Sequence, residues 1–139
     1  MRTNLRPEDL GDHLDQPLIA VLATRRPDDT VLLSPVWFEW RDGGFSVWVP
    51  SPDNAKVRDI RRDPRVSIVV ASQGWPYKGI EVRGRATVSR DGFDELVGRT
   101  AERYMGAGAA ARMVGTMPEG VVVRIEPGTL RAWDYEDEA

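Results

Sequence analysis

The chain has 139 residues, 41% of them hydrophobic and 29% charged, with a formal net charge of −3 and both signs interspersed; this is the balance of one folded domain and not of a disordered tail. There is no cysteine, and His13 is the only histidine, which excludes disulfides, thiol nucleophiles and multi-histidine metal sites. No apolar run approaches the roughly 20 residues of a membrane span, and the charged opening MRTNLRPEDLGDHLDQP lacks a signal peptide's apolar centre, so the expectation is a cytoplasmic protein with no membrane partner.

Leu5 to Leu14 reads as a short helix entered through RPEDL, with acidic residues where a helix dipole favours them, and it is expected to cover one end of a sheet. His13 within it is expected at the surface. PLIAVLAT (17–24) is an apolar run of strand length, and RRPDDT after it is a turn. VLLSPVWFEW (31–40) alternates, with Leu32, Ser34, Val36, Phe38 and Trp40 on one face, so it is expected as one strand covered on both faces. RDGG (41–44) is a hairpin signal, and FSVWVP (45–50) returns as the partner strand.

NAKVRDIRRDPRV (54–66) holds five basic residues against Asp59 and Asp63. It reads as a helix capped at Ser51 or Asp53 and ended before Pro64. Val57 and Ile60 take the core side, and the arginines form a solvated face screened by the two aspartates. RVSIVVAS (65–72) is the next strand. IEVRGRATVS (80–89) alternates cleanly, with Ile80, Val82, Gly84, Ala86 and Val88 inward. Asp91 is placed to cap a helix in which Phe93, Leu96, Val97, Thr100 and Tyr104 recur at helical spacing. A small-residue segment, a last strand VVVRIEP and an acidic tail containing Trp133, expected to pack in the core or an interface, complete the chain. Six hairpin-linked strands with short helices between them predict a mainly β domain, an antiparallel barrel with flanking helices, spanning 1–139.

Three stretches, LATRRPDDTVLLSPVWFEW, FSVWVPSPDNAKVRDIRRDPRVSIVV and GWPYKGIEVRGRATV, together resemble the pyridoxamine 5′-phosphate oxidase-like split barrel. The likeness is strongest to its flavin and deazaflavin oxidoreductase branch, whose members bind FMN or the deazaflavin F420. The resemblance covers about 17–88 and implies a six-stranded split β-barrel. It also implies a homodimer with the cofactor held where two barrels meet.

Lys56 stands in the first turn of a helix, where free N–H groups and the dipole favour a phosphate; in the resemblance it matches a phosphate-contacting lysine, and Asn54 a neighbouring position that is equally a plain helix cap. Leu33, Ser34, Pro35, Val36 and Trp37 match the strand that lies along the ring. Pro35 lacks an N–H and so interrupts a ladder, which suits an edge, a bulge or a ligand alongside. Trp48, Val49 and Pro50 match the adjacent cofactor-contacting strand, although the oxidase itself carries hydroxyl-bearing residues there. Trp75 and Tyr77 match a loop near the partner's cofactor, where they either stack on the ring or pack the interface. The resemblance thus implies an F420-dependent oxidoreductase that transfers a hydride to a small unsaturated or quinone-like substrate. Hydride transfer requires no ionisable protein group, in keeping with the poor catalytic inventory. Two alternatives stay open. One is an FMN-binding relative of the oxidase; the other is a non-catalytic flavin or tetrapyrrole binder, for which His13 would be the only histidine to ligate haem. The acidic net charge and the lack of aromatic residues among the arginines speak against nucleic acid as a partner.

Overall fold

In the computed structural model, which describes residues 1–139, the alternating segments form seven antiparallel strands of one sheet. They are β1 (Ala20–Arg25), β2 (Val31–Val36), β3 (Glu39–Arg41), β4 (Gly44–Val49), β5 (Arg65–Ala71), β6 (Lys78–Ser89) and β7 (Val121–Asp134). Helix α1 (Ala55–Arg62) lies between β4 and β5, and α2 (Phe93–Met105) and α3 (Ala109–Met113) between β6 and β7.

The sheet order is β2-β1-β5-β6-β7-β4-β3. Its two terminal strands, β2 and β3, are consecutive in the chain and separated only by Trp37 and Phe38. The sheet therefore curls until its ends meet, and the barrel closes through that two-residue link with no ladder between β2 and β3. This seam makes the barrel split. It also explains why the segment expected as one strand over 31–40 is two, giving seven strands in place of six.

Asp42 and Gly43, at φ 52° and 72°, make the β3–β4 hairpin turn that the DG pair predicts. The long pair β6–β7 runs from Lys78↔Asp134 to Ser89↔Val122, with a register shift between Arg83 and Gly84. A Cβ at Gly84 would meet the Glu126 carbonyl oxygen at 2.0 Å, so the two strands can approach only over a glycine. β7 is also far longer than VVVRIEP: LRAWD, expected in an acidic tail, is its second half and pairs with the start of β6.

The barrel is filled by Leu22, Phe38, Phe45, Val47, Ile68, Val70, Ile80, Val82 and Ile125, with Val57 and Ile60 of α1 plugging it as their spacing predicts. The inward set expected for β6 holds: Ile80, Val82 and Ala86 are buried, while Arg83 and Arg85 are exposed. A smaller cluster of Phe93, Leu96, Val97 and Val122 seats α2 on the outside of the sheet. Gly92, in the left-handed region, precedes α2; Asp91 does not cap it. The N-terminal segment is not a continuous helix but two 3-10 turns, Pro7–Leu10 and His13–Asp15, broken where Gly11 takes φ 64°. His13, expected at the surface, is 3% exposed and donates from Nε2 to the Val70 carbonyl at 3.1 Å. The second turn folds its side chain inward onto β5.

Candidate functional site

Where the ladder stops at the seam, the ends of β2 and β4 form the walls of a groove of about 340 Å³. Pro35, Val36 and Trp37 line one wall and Trp48, Val49 and Pro50 the other, with Ile19 and Lys56 completing the lining. β2 is an edge strand paired only with β1, which is where a residue without an N–H is tolerated.

Its aromatic walls are held from behind by α2. Trp37 stacks on Tyr104 at 4.7 Å with an interplanar angle of 5°, and meets Trp48 edge-on at 5.9 Å. The Tyr104 hydroxyl donates to the Leu18 carbonyl at 2.5 Å and accepts from the Phe38 N–H at 3.3 Å, tying the seam link to the chain that enters β1. Trp48 donates from Nε1 to Thr100 Oγ1 at 2.8 Å, and that buried hydroxyl in turn bonds the carbonyls of Leu96 and Val97. Both indoles are thus fixed in orientation before any ligand arrives. Beside them Arg99 forks onto the buried carboxylate of Glu39 at 2.6 and 3.0 Å, locking α2 to β3.

The polar end of the groove is α1. Asn54, and not Ser51 or Asp53, is the N-cap: its Oδ1 accepts from the Lys56 N–H at 3.2 Å and from Lys56 Nζ at 3.0 Å. Burial lowers the Lys56 pKa from the usual lysine range, and no carboxylate opposes that shift. The result is a half-buried cation beside the first-turn N–H groups of a helix, facing an apolar slot. An oxyanion is the ligand chemistry that such an end accepts.

Of the twelve residues singled out from the sequence, seven line the groove: Pro35, Val36, Trp37, Trp48, Val49, Pro50 and Lys56. Asn54 lies one hydrogen bond behind Lys56. Ser34 is half-buried one step earlier in β2, and Leu33 projects from the opposite face, 64% exposed. Trp75 and Tyr77 are elsewhere on the same chain. They form an exposed aromatic cluster with Tyr135, at ring distances of 5.4 and 5.8 Å from Trp75 to the other two. Three participants escaped sequence reading: Ile19, Tyr104 and Thr100. Helical spacing marks Tyr104 and Thr100 as the packed side of α2, but nothing in the pattern says that the packing partner is the groove wall.

A slot with flat aromatic walls, little ionisable chemistry and one cation at its end fits a planar ring carrying a phosphate; its volume lies in the range of small-molecule sites. Comparison with known proteins identifies the family and the fold. A family model described as pyridoxamine 5′-phosphate oxidase matches residues 7–134. The chain is similar to a conserved hypothetical protein, Rv2991, from Mycobacterium tuberculosis, with 25% identity and a TM-score of 0.82 over 96% of this chain and 88% of that one. It is also similar to a structure described as an F420 reductase, with 26% identity and a TM-score of 0.69 over 86% of this chain and 93% of that one. A haem storage protein from Vibrio cholerae, HutZ, shares the fold at 16% identity and a TM-score of 0.70, covering 89% of this chain and 92% of that one. No curated protein matches the chain.

Proposed function

The chain belongs to the pyridoxamine 5′-phosphate oxidase family, and from that premise we propose that it is an oxidoreductase using F420, which delivers a hydride from the reduced deazaflavin to a small unsaturated or quinone-like substrate. The observation that carries the reading is Lys56, a half-buried cation without a carboxylate partner that lines an apolar, aromatic-walled slot. The bound deazaflavin supplies the hydride itself. The protein's part is binding, orientation and exclusion of water: Trp37 and Trp48 wall the ring, Val36 and Val49 keep the slot apolar, and Lys56 with the α1 amides takes the phosphate. F420 is favoured over FMN by the similarity to the F420 reductase and by Val49 and Pro50, which put no hydroxyl on the strand end beside Lys56.

The active unit we propose is a homodimer. The slot is open to solvent on one side, while Trp75 and Tyr77 of the aromatic cluster are exposed and line no part of that slot. Placing that cluster over the partner's slot gives the aromatic residues a role and shields the ring from water.

Titration of the purified protein with F420 and with FMN, followed by fluorescence quenching, tests the cofactor. F420 is expected to saturate at one per chain and FMN to bind more weakly; tight FMN binding without a response to F420 would overturn the choice. Lys56→Ala is expected to weaken F420 by about 1.5–3 kcal/mol, the value of a charge-assisted hydrogen bond. Unchanged affinity would remove Lys56 from the site.

A further inference from the structure

The slot begins where the β1–β2 ladder ends, and a side chain of α2 stands at that point. The last rung of the ladder pairs Ala20 with Val36. Continued by one step, the same register would set Ile19 opposite Trp37, and by two steps Leu18 opposite Phe38. Neither pair forms. Ile19 and Trp37 instead line the slot.

Tyr104 occupies the place of the missing rung. The Phe38 N–H donates to the Tyr104 hydroxyl at 3.3 Å, and that hydroxyl donates to the Leu18 carbonyl at 2.5 Å. Two residues that a longer ladder would set face to face are thus joined through an inserted oxygen. A direct N–H···O bond spans about 2.9 Å, and two bonds in series hold the same groups farther apart. The Phe38 carbonyl is met by Arg103 Nη1 at 3.4 Å, which also reaches the Leu14 carbonyl at 3.4 Å. Phe38 lies outside every strand, and neighbouring side chains of α2 therefore meet both its N–H and its carbonyl. The exchange of a rung for a hydroxyl leaves no buried backbone group unpaired at this residue. Nor is the hydroxyl free to swing away, because the Tyr104 ring is stacked on Trp37.

We propose that Tyr104 is the positioning residue that opens the slot. Its hydroxyl stops the β1–β2 ladder at Ala20 and Val36, keeps Ile19 and Trp37 apart, and so sets the aperture through which a flat ring enters, with Arg103 as a second tie on the same link. Resting on the cofactor reading above, this assigns the width of the slot to a residue that does not line it. Without the hydroxyl, the Phe38 N–H and the Leu18 carbonyl become each other's free partners. The ladder then extends toward them and narrows the slot.

Tyr104→Phe keeps the stack on Trp37 and removes only the inserted oxygen. Whichever of F420 and FMN the wild type binds, Tyr104→Phe is expected to weaken it at least five-fold. At saturation, the circular dichroism induced in the cofactor's visible band should also change, because the ring lies at a different angle between its walls. Arg103→Met, which stands in if Tyr104→Phe folds poorly, should give a smaller loss of affinity in the same direction. Ala101→Gly is the control: it weakens α2 from a buried position that makes none of these bonds, and should lower the thermal midpoint while leaving affinity and dichroism unchanged. Unchanged affinity and dichroism in Tyr104→Phe, unchanged affinity in Arg103→Met where it stands in, or changes as large in Ala101→Gly would overturn the proposal. Failure of the wild type to bind either cofactor would overturn the reading beneath it and this proposal together, and it shows in a titration that involves no variant.

Discussion

Burial of His13 under the Val70 carbonyl couples the stability of the N-terminal turns to pH. Desolvation pushes its pKa below the ordinary histidine value, and the nearby Lys78 charge adds to this, while the carbonyl bond, Asp12 and Asp134 oppose it. The unfolded chain takes up a proton near pH 6.5, where the folded one does not. Stability contributed by neutral His13 is therefore complete above about 6.5 and is lost as pH falls below it, levelling off only beneath the folded pKa. Urea unfolding of the wild type is expected to show a lower midpoint at pH 5 than at pH 7.5. His13→Gln, which can keep a donor toward the carbonyl but cannot titrate, is expected to flatten that difference; a slope unchanged by the substitution would place the titrating group elsewhere. A lone histidine in a charged segment carries no sequence mark of burial, because the turn at Gly11 that folds it inward is a tertiary event. Tyr104 shows the same boundary between pattern and contact. Helical period puts it on the packed face of α2, and only the fold shows that its ring backs Trp37 and its hydroxyl ties Leu18 to Phe38.

At the scale of elements, α1 delivers the one cation of the aromatic-walled groove, and its position rests on Asp59 as much as on Val57 and Ile60. Asp59 was expected to screen arginines in solvent; it is 3% exposed, accepts from Thr24 Oγ1 at 3.1 Å and from Arg26 Nη1 at 3.2 Å, and so ties the helix to β1. Both aspartates of the segment are turned to such local work, since Asp63 is occupied by Arg65 and is held below the usual carboxylate range by it. Asp59→Ala leaves the buried Thr24 hydroxyl without its acceptor and is expected to destabilise by about 1–3 kcal/mol. It should also weaken cofactor binding without touching the cofactor, because Lys56 moves with the helix. Denaturation and F420 titration on the same preparation check both parts, and a stable variant with intact affinity would show that apolar packing alone seats α1. The apolar period of α1, the alternation of β6 and the DG hairpin were legible in the sequence because each is a local pattern with one dominant burial direction. The break at Trp37–Phe38 and the second half of β7 were not. Apolar residues continue through the first and charged residues through the second, and what decides each is a neighbouring strand far away in sequence.

For the molecule as a whole, the resemblance covering 17–88 located the split barrel and seven of the groove residues, because the motif contains both groove walls and α1. The helix that braces the walls lies outside that stretch and had to come from the structure. One large feature is still without a partner. Val31 and Leu33 on the free edge strand are 53% and 64% exposed, and Ile19 beside the groove is 43% exposed. Apolar side chains on an unpaired edge invite association unless something covers them, and a second copy of the chain is the occupant that the proposed dimer provides. Light scattering is then expected to give twice the 15.6 kDa chain mass for the wild type. Leu33→Asp, which puts a charge on the exposed apolar face without disturbing the core, should give the single-chain mass with the fold intact by circular dichroism. A variant that stays dimeric would move the interface off this face. If the partner also roofs the slot, the monomeric variant should bind F420 more weakly, and Trp75→Ala should lose affinity while staying dimeric. Loss of dimer with full affinity would instead mean that each barrel holds its cofactor alone, with Trp75 and Tyr77 serving another surface.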